Sequence, residues 1–499
     1  MVSPFRGSSP FRGRGPFRGR GPWAGKSPWG FNDGAAVAAF SPVSLFAAGE
    51  QGAWYDPSDA TTLFQDAAGT TPVTGVEQTV GLMLDKSKGG RQALPVTGWV
   101  KTSGDGTVTV VGGIITITGA TTTTRVDISA PSWVVGDLAD ISITGTVASA
   151  TGPTLFLGGA NAYTVVAGAR TYSNRIGASN LLRVQIDSGS ATFEVTSRSY
   201  VPGNHAFTTD TSKRPIWSAR VNAYLATATL STQNVTTVAA NYTLRFTGAG
   251  TITLSGTASG TYSAGTHTVT CTAGTLTSTV SGTVTQADLR VANEGASLPA
   301  YQAVTDANTY DTVGFPYYLR FDGSNDALAT NSIDFTATDE MSVFAGVRKL
   351  SVSTRGVLLE LSATGANSGS FTVLAPEGTN DYGFSLTGNA GSPYYQPAGT
   401  TAPITNVLSV RYDYAGAALV EEVIPRIDAA LAQSGAVGTA AGTNTGFLNA
   451  ALNIGARNNG ASLPFNGRLH SLIVLGRTVT PTELTQTEGY VATKTGVVL

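Results

Sequence analysis

Between about residue 95 and residue 290, apolar and polar side chains alternate with a period of two, and glycines interrupt the alternation at short intervals. Side chains on an extended strand point to opposite faces in turn, so the pattern predicts half-buried β-strands. Thr107-Val108-Thr109-Val110-Val111, then Gly112-Gly113, then residues 114–118 reads as a hairpin with a two-residue glycine turn. Further strands are expected at 140–147, 182–187 and 191–196. Residues 251–285 carry the pattern furthest. There Thr and Ser line one face, Val, Ile and Leu the other, and Gly marks the turns of a small module of about five strands. Short, evenly spaced strands of this kind point to sandwiches or barrels. Helical spacing is scarce. At the C-terminus Thr480-Pro481-Thr482-Glu483 reads as N-cap, first-turn proline and capping-box glutamate. Leu484, Thr487, Glu488 and Val491 then give one apolar stripe, and Gly496 ends the helix.

The first thirty residues follow a different rule. Residues 4–30 repeat every six positions, with Pro at 4, 10, 16, 22 and 28, each followed by an aromatic: Phe5, Phe11, Phe17, Trp23 and Trp29. Arg6, Arg12 and Arg18 follow the three phenylalanines. Proline fixes φ and glycine frees it, so a helix is excluded and an extended or turned path remains. A disordered tail, nucleic-acid binding by Arg–Gly–aromatic chemistry and docking onto another protein are the three readings. Five aromatics in so short a segment are too apolar for a solubilising tail. Docking, with rings in pockets and guanidiniums on acidic or carbonyl groups, is favoured.

Composition sharpens this contrast. Only 12% of the 499 residues are charged, 60 are glycine and 41% are hydrophobic, which rules out wholesale disorder. The low charge has a cause: the strands are solvated by Thr and Ser hydroxyls. The net charge of −2 divides into six cations and no acid in residues 1–30, against 24 basic and 32 acidic residues in the rest. That balance excludes a protein that coats nucleic acid over its whole surface, and no nucleic-acid partner is expected. A single cysteine, Cys271, excludes an intrachain disulfide framework and a Cys-rich zinc site; it reads as a small buried hydrophobe. No stretch reaches the ~18 apolar residues of a membrane helix, and the basic N-terminus lacks an apolar signal core. A soluble protein without membrane insertion is expected.

Several phrases carry a resemblance. Tyr317-Tyr318-Leu319-Arg320-Phe321-Asp322-Gly323-Ser324-Asn325-Asp326-Ala327-Leu328 resembles the opening hairpin of concanavalin-like, laminin-G-type lectin sandwiches. Residues 341–348 look like the core strand that follows, and 465–477 with the short helix look like the family's last strand and tail. Upstream, Gly52-Ala53-Trp54-Tyr55-Asp56-Pro57-Ser58-Asp59 resembles the opening strand. The phrase that follows it in a single-domain version is cut here. Leu84-Asp85-Lys86-Ser87-Lys88-Gly89 holds its front half, and Gly203-Asn204-His205-Ala206 with Lys213-Arg214-Pro215 holds the rest. Insertion at surface turns is structurally cheap.

The resemblance therefore implies an all-β chain: a concanavalin-like jelly-roll sandwich with inserted β-sandwich modules, an extended N-terminal arm and one short C-terminal helix. The expected division is an anchoring arm at 1–32 and lectin-like segments at 33–92, 199–222 and 300–499. A module similar to carbohydrate-binding sandwiches is inserted at 93–198, and the Thr-rich module, similar in composition to Ig-like phage beads, at 223–299. Taken together, the chain looks like virion appendage proteins of tailed bacteriophages. That likeness implies a tail fibre made in the bacterial host cytoplasm and carried on the virion. The arm would bind tail or neck proteins, the body a host-surface glycan, and the assembly would be a homotrimer. A capsid decoration or head fibre with the same modules is the alternative, and a polysaccharide depolymerase a third.

The sequence carries no recognisable catalytic signature. His205, His267 and His470 lie far apart without ligand spacing, and there is no H-E-x-x-H, P-loop or G-x-S-x-G. His205 reads as structural. Glu421-Glu422, on an expected strand, would point to opposite faces and cannot flank one glycosidic bond. No catalytic residue and no cofactor is assigned. Asp322, Asn325 and Asp326 fit a tight hairpin or, less simply, a calcium loop, so a metal stays undecided. Sugar binding needs exposed rings to stack on, and the candidates are Trp99, Tyr394 and Tyr395.

Overall fold

The structure, a computed structural model, describes residues 40–499 apart from 129–132, 148, 159–161, 178, 180, 220–221, 238, 292–300, 302, 306–315, 353, 379–380, 435 and 443. The arm residues Phe5, Arg6, Phe11, Arg12, Phe17, Arg18, Trp23 and Trp29 lie outside the described residues. The fold is all-β, a concanavalin-like jelly-roll sandwich that carries further β-sandwich modules. No helix among the described residues is long and apolar enough to cross a membrane.

Two large antiparallel sheets make the main sandwich. The first has Asn466–Leu475 near its centre, paired with Glu340–Lys349 on one side and with Tyr318–Asp322 and Gly52–Tyr55 on the other. The second runs from Leu63–Phe64 through Leu82–Met83, Ala206–Phe207, Leu328–Asp334, Asn449–Ile454, Val357–Leu361, Ser370–Leu374 and Gly383–Thr387 to Tyr394–Tyr395 and Ala436–Val437. One core lies between them. It takes Ala53, Tyr55, Leu63 and Met83 from an early stretch, Ala206 and Trp217 from a middle one, and Phe321, Phe371, Leu452 and Val474 from a late one.

Asp85 joins those stretches. Its fully buried carboxylate accepts from the backbone N–H of Trp54, Ser87 and Asn204, each at 2.8 Å, and from Ser87 Oγ at 2.8 Å. Burial pushes its pKa up, and the backbone donors pull the other way. His205 lies beside it. The Asp85 N–H donates to His205 Nδ1 at 3.0 Å, and the opposite nitrogen, Nε2, lies 3.0 Å from Val201 O, which requires the Nε2–H tautomer. Asn204 Nδ2 donates to Gly52 O at 2.7 Å, and Trp217 Nε1 to Pro57 O at 2.8 Å. The two halves of the interrupted phrase therefore meet in space, and His205 is structural.

Residues 92–201 form two further sheets. One contains Gly168–Arg175, Leu138–Thr146, Gly189–Val201, Ile114–Ala120 and Thr107–Val111; the other contains Ala162–Thr164, Thr154–Leu157, Leu182–Ile186, Thr124–Ile128 and Trp99–Ser103. They enclose their own core around Trp133, Ile141, Leu155, Val184 and Phe193. The glycine hairpin forms with Val111 opposite Ile114 and Gly112 at φ +59°. A small apolar cluster of Phe64, Leu82, Leu84, Leu138 and Val201 seals this pair of sheets against the main sandwich. A third core, around Tyr224, Leu244, Phe246, Ile252 and Leu276, is wrapped by Gln233–Thr237, Ala240–Gly256, Gly260–Cys271, Gly274–Ser281 and Thr285–Val291. Cys271 is buried there.

The helix Pro481–Thr495 has the full capping box at Thr480 and Glu483 and ends at Gly496 with φ +74°. Its buried stripe is Thr487, Glu488, Val491, Ala492 and Thr495, while Leu484 is half-buried. Glu421 and Glu422 correct the strand expectation: Leu419–Glu422 is a single helical turn, because the N–H groups of both glutamates bond to Ala418 O. Glu422 is buried and accepts from Ala441 N at 2.9 Å, whereas Glu421 is exposed. The two carboxylates still diverge.

Candidate functional site

Strand alternation in the second large sheet makes the site. In Ser370–Leu374 and Gly383–Thr387, Phe371, Val373, Phe384 and Leu386 point into the core. Thr372, Leu374, Ser385 and Thr387 take the opposite face, where with Tyr394, Ser392, Thr364, Arg355, Glu377 and Arg457 they line a cavity of about 410 Å³. That lies within the ~300–1,000 Å³ range of small-ligand sites. Gly365 and Gly438, on its wall, allow close approach; a Cβ on Gly365 would stand 2.4 Å from Thr372 Oγ1.

The charged groups around the cavity are already clamped. Arg457 donates Nε to both oxygens of Glu360, at 3.1 and 3.0 Å, and Nη2 to Oε1 at 2.6 Å. Thr372 Oγ1 adds a hydrogen bond to the same carboxylate at 3.1 Å. Glu360 is fully buried, so this bidentate pair fixes the guanidinium plane. Arg355 is ion-paired with Glu377 at the rim. Thr387 Oγ1 donates to Gly365 O at 2.5 Å, which ties the loop to the sheet.

Of the three ring candidates, Tyr394 reaches the cavity. It is half-buried, and its hydroxyl is hidden from solvent and has no hydrogen-bond partner among the described residues. Burial pushes its pKa up, with Arg355 and Asp381 near enough to bias it in opposite senses. Tyr395, next along the same strand, points to the other face and is fully buried in the main core. Trp99 is 5% exposed and sits in the core of its own sandwich, with Nε1 donating to Val96 O at 3.0 Å. Neither Trp99 nor Tyr395 presents a ring face for stacking in this conformation. The sequence did not single out Thr372, Ser385, Thr387, Arg355 or Arg457. The three hydroxyl residues had one signal, hydroxyls at every second position of two short apolar strands, and the two arginines had none.

A second cavity of about 390 Å³ is lined by Trp54, Asp59, Leu84, Lys86, Arg91 and Val201. There Lys86 Nζ lies 4.7 Å from the Trp54 ring centroid and 2.7 Å from Asp59, so the ring face is occupied by the protein's own ammonium. The 322–326 loop is a side-chain-capped turn. Asp322 Oδ1 accepts from Ser324 N at 2.7 Å, and Asp326 Oδ2 from Asp322 N at 3.0 Å. Burial and the neighbouring Asp322 push the Asp326 carboxyl up to about 7. Among the described residues no group of three or more His, Cys, Asp or Glu is placed to hold a metal ion.

No protein-family model matches the chain, and no curated protein matches it. Among solved structures, the chain is similar to the Ruminococcus gnavus IT-sialidase CBM40, at 14% identity over 31% of this chain and 84% of that one, with a TM-score of 0.24. The botulinum neurotoxin serotype G binding domain is 11% identical over 36% of this chain and 43% of that one, with a TM-score of 0.25. The receptor binding domain of the botulinum neurotoxin C/D mosaic serotype is 8% identical over 35% and 42%, with a TM-score of 0.27. These likenesses are local and shallow.

Proposed function

We propose that the chain is a structural protein of a tailed-phage virion, a fibre anchored by its arm, whose lectin-like sandwich holds a host-surface glycan in the 410 Å³ cavity. The observation that carries the binding reading is the hidden, unpartnered hydroxyl of Tyr394, a residue that lines the cavity together with Thr372, Ser385, Thr387 and Ser392. A sugar offers that hydroxyl a partner: its own hydroxyls donate and accept, and its ring has an apolar face that can lie against tyrosine. Arg355 and Arg457, held by Glu377 and Glu360, are pre-set donors that lose little freedom on binding. The same pairing ties up both carboxylates at the cavity, so the arrangement favours holding a glycan over cleaving one. The repeated aromatics and arginines of 1–32 support docking to other virion proteins, and the segments 33–92, 199–222 and 300–499 are proposed to form one domain carrying two inserts, 93–198 and 223–299. Binding through several copies would multiply a weak single-site affinity.

The test is binding of the full chain to host-surface polysaccharide and to a glycan array, beside Tyr394→Phe and Tyr394→Ala. Loss of one hydrogen bond predicts about a five- to tenfold weaker affinity for the phenylalanine, and more for the alanine. Equal affinity in all three, or no glycan bound by the wild type, overturns the cavity assignment.

A further inference from the structure

Among the described residues, the strand Gly260–Cys271 hydrogen-bonds along one side, to Ala240–Gly256, and its other side ends the sheet. About half of the N–H and C=O groups of such a strand point away from its partner. Here one of the carbonyls, Ser263 O, is taken by His267 Nε2 at 2.7 Å. From Gly260 to Thr266 every side chain is exposed except half-buried Tyr262. Proteins guard open edges with lysine, proline, other charges or brevity. The other sheet ends here follow that rule. Gly168–Arg175 carries Arg170 and Arg175, Trp99–Ser103 carries Lys101, Thr285–Val291 carries Asp288 and Arg290, and the remaining edge strands have five residues or fewer. Gly260–Cys271 has twelve residues, no proline and no Asp, Glu, Lys or Arg.

Its surroundings are equally undefended. Residues 222–291 contain three charged side chains, Arg245, Asp288 and Arg290. Asp288 is paired with Arg290 and lies 3.6 Å from Arg245, and both Asp288 and Arg290 are buried. The chain beyond residue 30 carries 24 basic and 32 acidic residues, so two copies bear the same net charge and repel overall. This stretch, with two arginines and one aspartate, is where they can approach.

We propose that the strand Gly260–Cys271 of a second copy occupies this edge, running antiparallel, so that the two sheets continue into one across a two-fold axis. Such an interface is isologous, and each strand meets itself reversed. Centred on Thr266, the pairing sets Gly265 against His267, Ala264 against Thr268, Tyr262 against Thr270 and Thr261 against Cys271. Threonine pairs and aromatic–threonine pairs stabilise antiparallel strands, and no register opposes two carboxylates, lysines or arginines. A charged partner strand would find nothing to recognise; a copy of the same hydroxyl-rich strand matches it. The association does not depend on what the cavity binds.

Sedimentation equilibrium of the full chain, with backbone hydrogen exchange at the lowest and highest concentrations, reads this directly. A concentration-dependent dimer is expected, with exchange of the 260–271 amides slowed in step. Thr266 and Thr268 are exposed, so Thr266→Lys with Thr268→Lys leaves the fold intact, as circular dichroism will check, and weakens association at least ~10-fold. The matching Thr266→Glu, Thr268→Glu variant weakens it likewise, and mixing the two variants restores it. A wild type that stays monomeric at every concentration, including one that pairs only with a foreign strand, overturns the proposal. So does association that the lysines leave unchanged, or one that mixing fails to rescue.

Discussion

His205, His470 and Asp326 respond to pH in opposite senses across one window. Burial pushes His205 down to about 4 and His470 down to about 3, so each is neutral in the fold and gains a proton more readily when unfolded. Their contribution is complete above the ordinary histidine value of about 6.5 and is lost as pH falls toward 4. Asp326 is raised to about 7, so the fold prefers its protonated form; that preference is complete below about 4 and is lost as pH rises through 7. Asp326→Asn keeps an oxygen to accept the Asp322 N–H but carries no charge. It is expected to match the wild type near pH 4 and to exceed it by about 1–3 kcal/mol at pH 8, after allowing for solvent screening. Urea unfolding at several pH values measures the difference, and a gap that does not widen between pH 4 and 7 removes Asp326 as its source. The hairpin around Asp326 was legible in its Asp-Gly and Asn-Asp pairs. The raised pKa was not, because burial of a turn depends on what distant loops cover it. For the same reason the ring candidates divided: which of Tyr394 and Tyr395 faces the core depends on register with Gly383–Thr387, and both are plain tyrosines in sequence.

Among the elements, those with local chemistry were readable. The Gly112-Gly113 turn fixes its hairpin by conformation alone, and Thr480-Pro481-Glu483 starts the last helix as the spacing requires. Glu483 does more than close the capping box. Arg477 binds both of its oxygens, at 3.0 and 2.7 Å, and holds its carboxyl down at about 2. Thr480→Ala is expected to cost about 1 kcal/mol and to speed exchange of the first-turn amides of Pro481–Thr495, with little change elsewhere. Unchanged exchange there would mean that Arg477 and Glu483 alone hold the helix start. The turn Leu419–Glu422 was misread because four residues are too few to show a helical period, and their helicity is set by hydrogen bonds to Ala418 O. The cavity strands alternate as any strand does, but only pairing brings Thr372 beside Ser385.

For the molecule as a whole, the broken lectin phrase was visible as two fragments some 115 residues apart, and Asp85 with His205 is where they rejoin. Composition located the Thr-rich stretch but gave no sign that the strand Gly260–Cys271 would stand at an edge, since edge and interior strands of threonine and glycine look alike. The arm makes its own prediction at this scale. Deleting residues 1–32 is expected to leave the body folded and to abolish its incorporation into particles. Virions that carry the normal amount of truncated protein would show that docking lies elsewhere. On the proposed virion role, immunogold labelling of intact particles then distinguishes a tail or neck position from a head fibre.

Gly52–Tyr55 pairs with Asn466–Leu475, so a strand made early has to wait for one made much later. The gap is roughly 420 residues, or about 20–80 seconds of synthesis at ordinary translation rates. During that time the compact stretches 92–201 and 233–291, whose partners are close in sequence, emerge complete. The main sandwich closes only once residues 466–475 have left the ribosome, and Ala53, Trp54 and Tyr55 stay without their final partners until then. A slowed or stalled ribosome therefore exposes this strand for longer, which makes codon pace between residues 55 and 466 a determinant of yield.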